Sequence, residues 1–238
     1  MNQAESAIVV GVGPGLGLAI VTALAGAGMN VVAASRNVER VGKLVGVLGA
    51  KVKSLACDAT QETQVAELFR QSAAQFGPPA LVVFNAGAFL PRGILETTAE
   101  EFERCWRVGC LGGFLVGREA ARAMLDAPGE RARTILFTGA TASLRGSARF
   151  HNLAVGKFGL RALAQSMARE FGPQGIHVAH VIIDGQIRAD RDGYREDARG
   201  KDAVLHADAI AANYLMLHRQ PRSAWTQELD LRPWVEKF

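Results

Sequence analysis

The sequence predicts one α/β domain in which a parallel β-sheet is covered by helices on both faces, a doubly wound arrangement. Three observations lead there. Short apolar, β-branched runs of strand length alternate with longer stretches of helical period along most of the chain. The runs lack the polar alternation of a half-solvated strand, so both of their faces are expected to be buried. A length of 238 residues, 49% of them hydrophobic, suffices for one sizeable core and leaves little room for a second.

In chain order, the first run, 7–10, leads directly into the glycine-rich turn Gly11-Val12-Gly13-Pro14-Gly15-Leu16-Gly17, and a helix is expected over 16–26. Apolar runs at 31–34, 52–56, 81–84, 134–137 and 178–183 read as further strands. Helical periods cover 61–76, 98–126 and 154–171, which places helices between successive strands. The stretch 186–201 is highly charged and lacks apolar periodicity. It reads as a mobile loop or marginal helix beside the site, and 186–205 as a substrate-side loop. A helical pattern resumes over 209–217, and 226–233 alternates like a last strand. Without a fixed-period repeat or a linker-like shift, 1–238 is expected to form a single domain.

Composition narrows the partners. The net charge of +4 is mild, and the arginines are scattered from Arg36 to Arg232 without a basic block, so no nucleic-acid partner is expected. The three cysteines, Cys57, Cys105 and Cys110, are odd in number and lack metal or redox spacing, as ordinary thiols of a reducing compartment do. The start of the chain shows no basic region ahead of an apolar one, and glycines and Asn30 interrupt the apolar residues between 16 and 34. A cytoplasmic protein without membrane contact is the expectation.

A glycine-rich turn between a buried strand and a helix lets the backbone approach a pyrophosphate. The helix N-terminus adds free N–H donors and a favourable dipole. Gly11, Gly13, Gly15, Leu16 and Gly17 are therefore candidate dinucleotide-binding residues; a tight turn holding no ligand is the alternative. GxxxGxG from Gly11 to Gly17 resembles the glycine motif of the short-chain dehydrogenase/reductase family. Asn85-Ala86-Gly87 after the fourth strand is similar to that family's NAG turn, and Lys157 near the start of a long helix to the lysine of its YxxxK motif. The resemblance covers essentially the whole chain. It implies a Rossmann-type fold and a nicotinamide dinucleotide cofactor, with Asp58 at the adenine and Gly185 and Ile187 beside the nicotinamide. It also implies pairing of subunits through the two long helices, as a homodimer or homotetramer.

NAD-preferring members of the family end the second strand with an acid that binds the adenine ribose. Here Ser35 occupies that position and Arg36 follows it. A carboxylate would repel a ribose phosphate, whereas a guanidinium binds one through paired, charge-assisted hydrogen bonds. NADP(H) is thus favoured over NAD(H), with a plain surface arginine as the alternative.

The resemblance fails at the catalytic group. Family members use Ser, Tyr, Lys and Asn; the tyrosine exchanges a proton with the substrate oxygen beside the lysine ammonium. Four residues before Lys157 stands Leu153, the serine position holds Ala140, and the asparagine position holds Gly109. Only Lys157 remains. Thr141, Ser143 and His151 are nearby polar groups, and Asp184, where the family usually has proline, is either a base beside the nicotinamide or a turn cap. Two functions stay open: an oxidoreductase acting on an unknown carbonyl or alcohol with a nonstandard site, and a cofactor-binding protein without turnover, serving as sensor or partner subunit.

Overall fold

In the computed structural model, residues 4–129, 132–188, 200 and 202–236 are described. Seven strands build one wholly parallel sheet. They are β1 (Ser6–Val10), β2 (Asn30–Ser35), β3 (Val52–Ala56), β4 (Leu81–Phe84), β5 (Thr134–Thr138), β6 (His177–Ile183) and β7 (Glu228–Leu231), in the spatial order β3-β2-β1-β4-β5-β6-β7. The order reverses at β1, so the carboxyl ends of β1 and β4 flank a crevice, the usual ligand position of an open α/β sheet.

Side-chain alternation divides the buried residues between two cores. Ala7 and Val9 face α1 (Leu16–Gly26) and α7 (Ala207–His218), packing with Leu24, Ile210 and Tyr214. Ile8 and Val10 face the opposite layer, formed by α3 (Glu62–Phe76), α5 (Gly112–Leu125) and α6 (His151–Phe171), among Phe84, Phe137, Met124 and Leu160. With helices on both faces, β1, β4, β5 and β6 are buried throughout and need no polar alternation, whereas the edge strand β3 departs from the expected burial, with Lys53 and Ala56 exposed.

Three elements differ from expectation. The 98–126 helix is not continuous: α4 (Ala99–Trp106), opened by a Thr98/Glu101 capping box, passes through a π-helical turn at Arg107–Leu111 before α5 begins. Gly109 lies in that turn against α6, where an added Cβ would stand 3.6 Å from Gly156 Cα. A π turn accommodates one extra residue, and it does so here where two helix backbones approach. Next, α2 (Val38–Val45) went unrecognised although its signals are present: Asn37 Oδ1 accepts from Arg40 N at 3.0 Å, and Val41 and Val45 are buried one turn apart. Finally, α6 begins at His151, three residues ahead of the expected start at 154.

Most of the 186–205 segment lies outside the described residues. Its ends are tied together, since Arg188 N donates to Leu205 O at 2.8 Å and Leu205 N to Gln186 O at 2.9 Å. No described helix is long and apolar enough to cross a membrane.

Candidate functional site

The glycines of the first turn fall into two groups. Gly11 has φ +92°, and a Cβ there would meet Ala86 N at 2.4 Å; one on Gly17 would meet Val12 Cα at 2.8 Å. These two positions serve the fold, because backbone must pass backbone. A Cβ on Gly13 or Gly15 would meet nothing within 4 Å, so these two border open space. No side chain caps α1 at Gly15, and no acid occupies its first turn. Open backbone before an uncapped helix N-terminus fits a pyrophosphate. Asn85 Nδ2 donates to Gly11 O at 3.0 Å, tying the Asn85-Ala86-Gly87 turn to the glycine loop.

At the far end of β2, Ser35 Oγ accepts from Asn37 N at 3.3 Å and so shapes the turn. Arg36 and Asp58 come together in one cavity of about 320 Å³ of mixed charge, lined also by Thr60, Glu100, Glu103, Arg104 and Arg107, the last of these 3.6 Å from Glu103. Asp58 is oriented by Thr60, whose N and Oγ1 donate to its Oδ1 at 3.0 and 2.8 Å. Sequence reasoning missed Arg104 and Arg107. They arrive from α4 and the π turn, far along the chain, and no local pattern marks them.

Lys157 lies one turn after Leu153 on α6 and is 6% exposed. Its Nζ donates to Thr138 O at 2.6 Å and stands near Gly87, where an added Cβ would be 3.7 Å away. Burial pushes its pKa down to about 8. Around it, Leu153 offers only carbon, Ala140 has extended backbone, and Gly109 is buried in the π turn. Phe89 and Phe150, with ring centroids 4.7 Å apart, add an apolar pair close to the start of α6.

The polar candidates separate cleanly. Strand β5 ends at Thr138, so strand alternation does not govern Thr141, which opens a 3-10 turn. Thr141 Oγ1 donates to Asp184 Oδ1 at 2.5 Å. Asp184 is 3% exposed, and its Oδ2 lies 3.4 Å from Arg232 Nη2, which also contacts Asp230. Asp184 is therefore held by side chains from two other elements, which is more than a turn cap does.

Ser143 turns away from the crevice. Its buried Oγ accepts from Ala140 N at 3.1 Å and lies 3.3 Å from His180 Nε2, below the turn. His180 Nδ1 is 3.1 Å from Glu228 Oε2, and Arg161 grips the same carboxylate at 2.7 and 2.6 Å. Burial holds the His180 pKa down, at about 4, against the pull of Glu228. The neutral ring thus donates to Glu228 and accepts from Ser143, fixing the 139–143 turn from beneath. His151 also has a structural place: its Nε2 is 3.0 Å from Thr97 Oγ1, joining the loop before α4 to the start of α6.

Comparison with known proteins agrees with this architecture. A family model described as short chain dehydrogenase matches residues 5–197. A short-chain dehydrogenase/reductase of Armillaria gallica is 33% identical over 183 residues, covering 75% of this chain and 69% of its own. The crystal structure of a short-chain dehydrogenase from Rhodopseudomonas palustris is 39% identical, superposes with a TM-score of 0.82, and is covered over 97% of this chain and 99% of that one. The alcohol dehydrogenase of Thermococcus sibiricus, solved with 5-hydroxy-NADP, has the same fold at 24% identity, with a TM-score of 0.83 and 98% of both chains covered.

Proposed function

Because the chain belongs to the short-chain dehydrogenase family of oxidoreductases, built on the NAD(P)-binding Rossmann fold, we propose that it is an NADP(H)-preferring enzyme of an alcohol or carbonyl substrate whose proton-handling pair is Thr141 and Asp184. The observation that carries this reading is the 2.5 Å hydrogen bond between a hydroxyl at the end of β5 and a carboxylate at the end of β6.

The glycine loop with Leu16 would hold the pyrophosphate, Asp58 the adenine, Arg36 the ribose phosphate, and Asn85 to Gly87, Lys157, Gly185 and Ile187 the nicotinamide half. When bound, the nicotinamide exchanges a hydride with the substrate carbon. The chain supplies proton traffic and orientation. In alcohol oxidation the substrate hydroxyl proton passes to Thr141 Oγ1 as the Thr141 proton passes to Asp184 Oδ1; reduction retraces the path. Neither partner works alone, since a lone threonine is a poor acid or base near neutral pH and Asp184 is buried behind it. Lys157 acts as a cofactor ligand, because Leu153 has no proton for its ammonium to tune.

NADPH is expected to bind more tightly than NADH by ~1–3 kcal/mol, one charge-assisted hydrogen bond or two. Calorimetric titration of both tests this. Arg36→Ala should narrow the gap, and equal affinities in the wild type would reject the preference. The sign of the Lys157 effect is also fixed. With its pKa near 8 instead of 10.5, the ammonium is lost as pH rises through about 8, so NADPH affinity should fall between pH 7 and 9. Lys157→Met should bind weakly and show no such slope; an unchanged slope in the variant would reject the role.

The second reading is a cofactor-binding protein without turnover, favoured by Leu153, Ala140 and Gly109 standing where the family resemblance implies tyrosine, serine and asparagine. A screen of alcohols with NADP and carbonyls with NADPH separates the two. As partner, a second copy of this chain fits best. Phe102, Trp106, Phe114, Val155 and Phe158 expose large apolar side chains on α4, α5 and α6. Light scattering should give at least twice the 25.4 kDa chain mass; a monomer would reject the pairing. The cytoplasm is the proposed compartment.

A further inference from the structure

The site described so far lies at the carboxyl edge of the sheet. At the opposite edge, where β5 starts at Thr134 and β6 at His177, the chain forms a cleft of about 410 Å³. Its walls include Arg133, His177, His218, Pro221, Arg222 and Trp225. The volume falls in the usual range of small-molecule pockets.

Two guanidinium groups dominate its charge. Arg133 Nη2 is fixed by Ala127 O at 2.8 Å and Gly129 O at 2.9 Å, which aims the guanidinium along the cleft wall. Arg222 lies over Gly175, whose added Cβ would stand 3.6 Å from Arg222 Nη2. Neither arginine is ion-paired with a carboxylate among the described residues. The floor is polar and rigid: His218 Nδ1 meets Thr134 Oγ1 at 2.9 Å.

The wall is flat and aromatic. His177 and Trp225 stack with centroids 4.9 Å apart and planes within 4°. His177 is 2% exposed, and its Nε2 donates to Thr226 O at 2.8 Å, with the Leu217 backbone as a second polar neighbour of the ring. Trp225 is itself oriented, since Nε1 donates to Gln220 O at 3.3 Å.

We propose that this cleft is a second binding site, separate from the dinucleotide crevice, for a small aromatic carboxylate. The guanidiniums of Arg133 and Arg222 take the carboxylate, and the ring lies along Trp225 and Pro221. Guanidinium geometry matches a carboxylate through paired hydrogen bonds, and the flat wall favours a planar body over a bare anion. The cleft does not depend on catalysis at the other edge, so its occupancy is measurable whether or not the protein turns over a substrate.

The test is calorimetric titration of the full chain, saturated with NADPH, with benzoate, benzamide and inorganic phosphate. Benzoate should bind saturably, and benzamide and phosphate at least fivefold more weakly. Arg222 is exposed, so Arg222→Gln should keep the thermal transition while weakening benzoate at least fivefold. Trp225→Phe should keep benzoate affinity within about twofold, as one flat ring replaces another, and remove the benzoate-dependent change in indole emission. Unsaturable benzoate heat, equal binding of benzamide or phosphate, or unchanged affinity in Arg222→Gln would overturn the proposal. An emission change that persists in Trp225→Phe would also overturn it, because it would place the ligand beside Trp106 or Trp234.

Discussion

Asp184→Asn should lower turnover by about 10²-fold or more while leaving NADPH affinity within a few fold, because positioned proton transfer contributes on the order of 10²–10⁴. An amide is the shape of the carboxylate but cannot accept the proton that Thr141 relays. It can still accept the Thr141 hydrogen bond, so the 2.5 Å geometry should largely persist and the loss is chemical. Thr141→Val should produce a similar loss by cutting the link on the substrate side, and Thr141→Ser should restore much of the rate. The two single losses should be strongly non-additive in Thr141→Val/Asp184→Asn, as expected of groups acting as a unit. The measurement is steady-state turnover on whichever substrate the screen yields. Turnover that survives both changes would remove the pair from the mechanism and require another proton source.

Gly11→Ala and Gly15→Ala should fail in different ways, although both glycines belong to one loop. At Gly11 the new Cβ would lie 2.4 Å from Ala86 N in a backbone with φ +92°. Left-handed backbone strain of ~1–2 kcal/mol and overpacking of ~1–3 kcal/mol add to roughly 3 kcal/mol. For a chain of this size that corresponds to about 10 °C in thermal midpoint. At Gly15 the methyl meets nothing within 4 Å, so stability should hold while the methyl occupies space a phosphate would use. NADPH affinity should then fall at least tenfold. Melting curves and cofactor titrations on the two variants check both halves. A stable Gly11→Ala protein, or a Gly15→Ala protein with unaltered affinity, would contradict the division of labour in this loop.

The fold was legible because it rests on signals carried by short stretches. Strands buried on both faces must be largely apolar, and the helices between them must show a 3.6-residue period, so the central strands and the main helices are written locally. The glycine loop was legible for the same reason: the close approach at Gly11 and Gly17 forbids any side chain, and the sequence records that as glycine. α2 was missed because its eight residues alternate charge and valine too briefly to stand out. The π turn was missed because the helical period runs through 98–126 without a local break at the turn.

The site was legible only in part. Lys157, Asp58 and the Asn85 turn are named by their order along the chain, which a sequence displays directly. Which hydroxyl faces which carboxylate is not. Thr141 and Ser143 are two residues apart and chemically alike, yet one is bonded to Asp184 and the other to His180. That choice is made by where β5 ends and by the path of the following 3-10 turn, both set by packing against β6 and α6. Arg232 reaches Asp184, and Arg104 and Arg107 come to share a cavity with Arg36 and Asp58, across long sequence separations for the same reason. By itself the sequence determined the layers and the crevice, because these follow from periodicity and from glycine at Gly11 and Gly17, where nothing larger fits, while the cofactor class followed from the resemblance carried by the ordered motifs. Only the tertiary structure brought Thr141 to Asp184, because hydrogen bonds between remote elements depend on distances that no local pattern encodes.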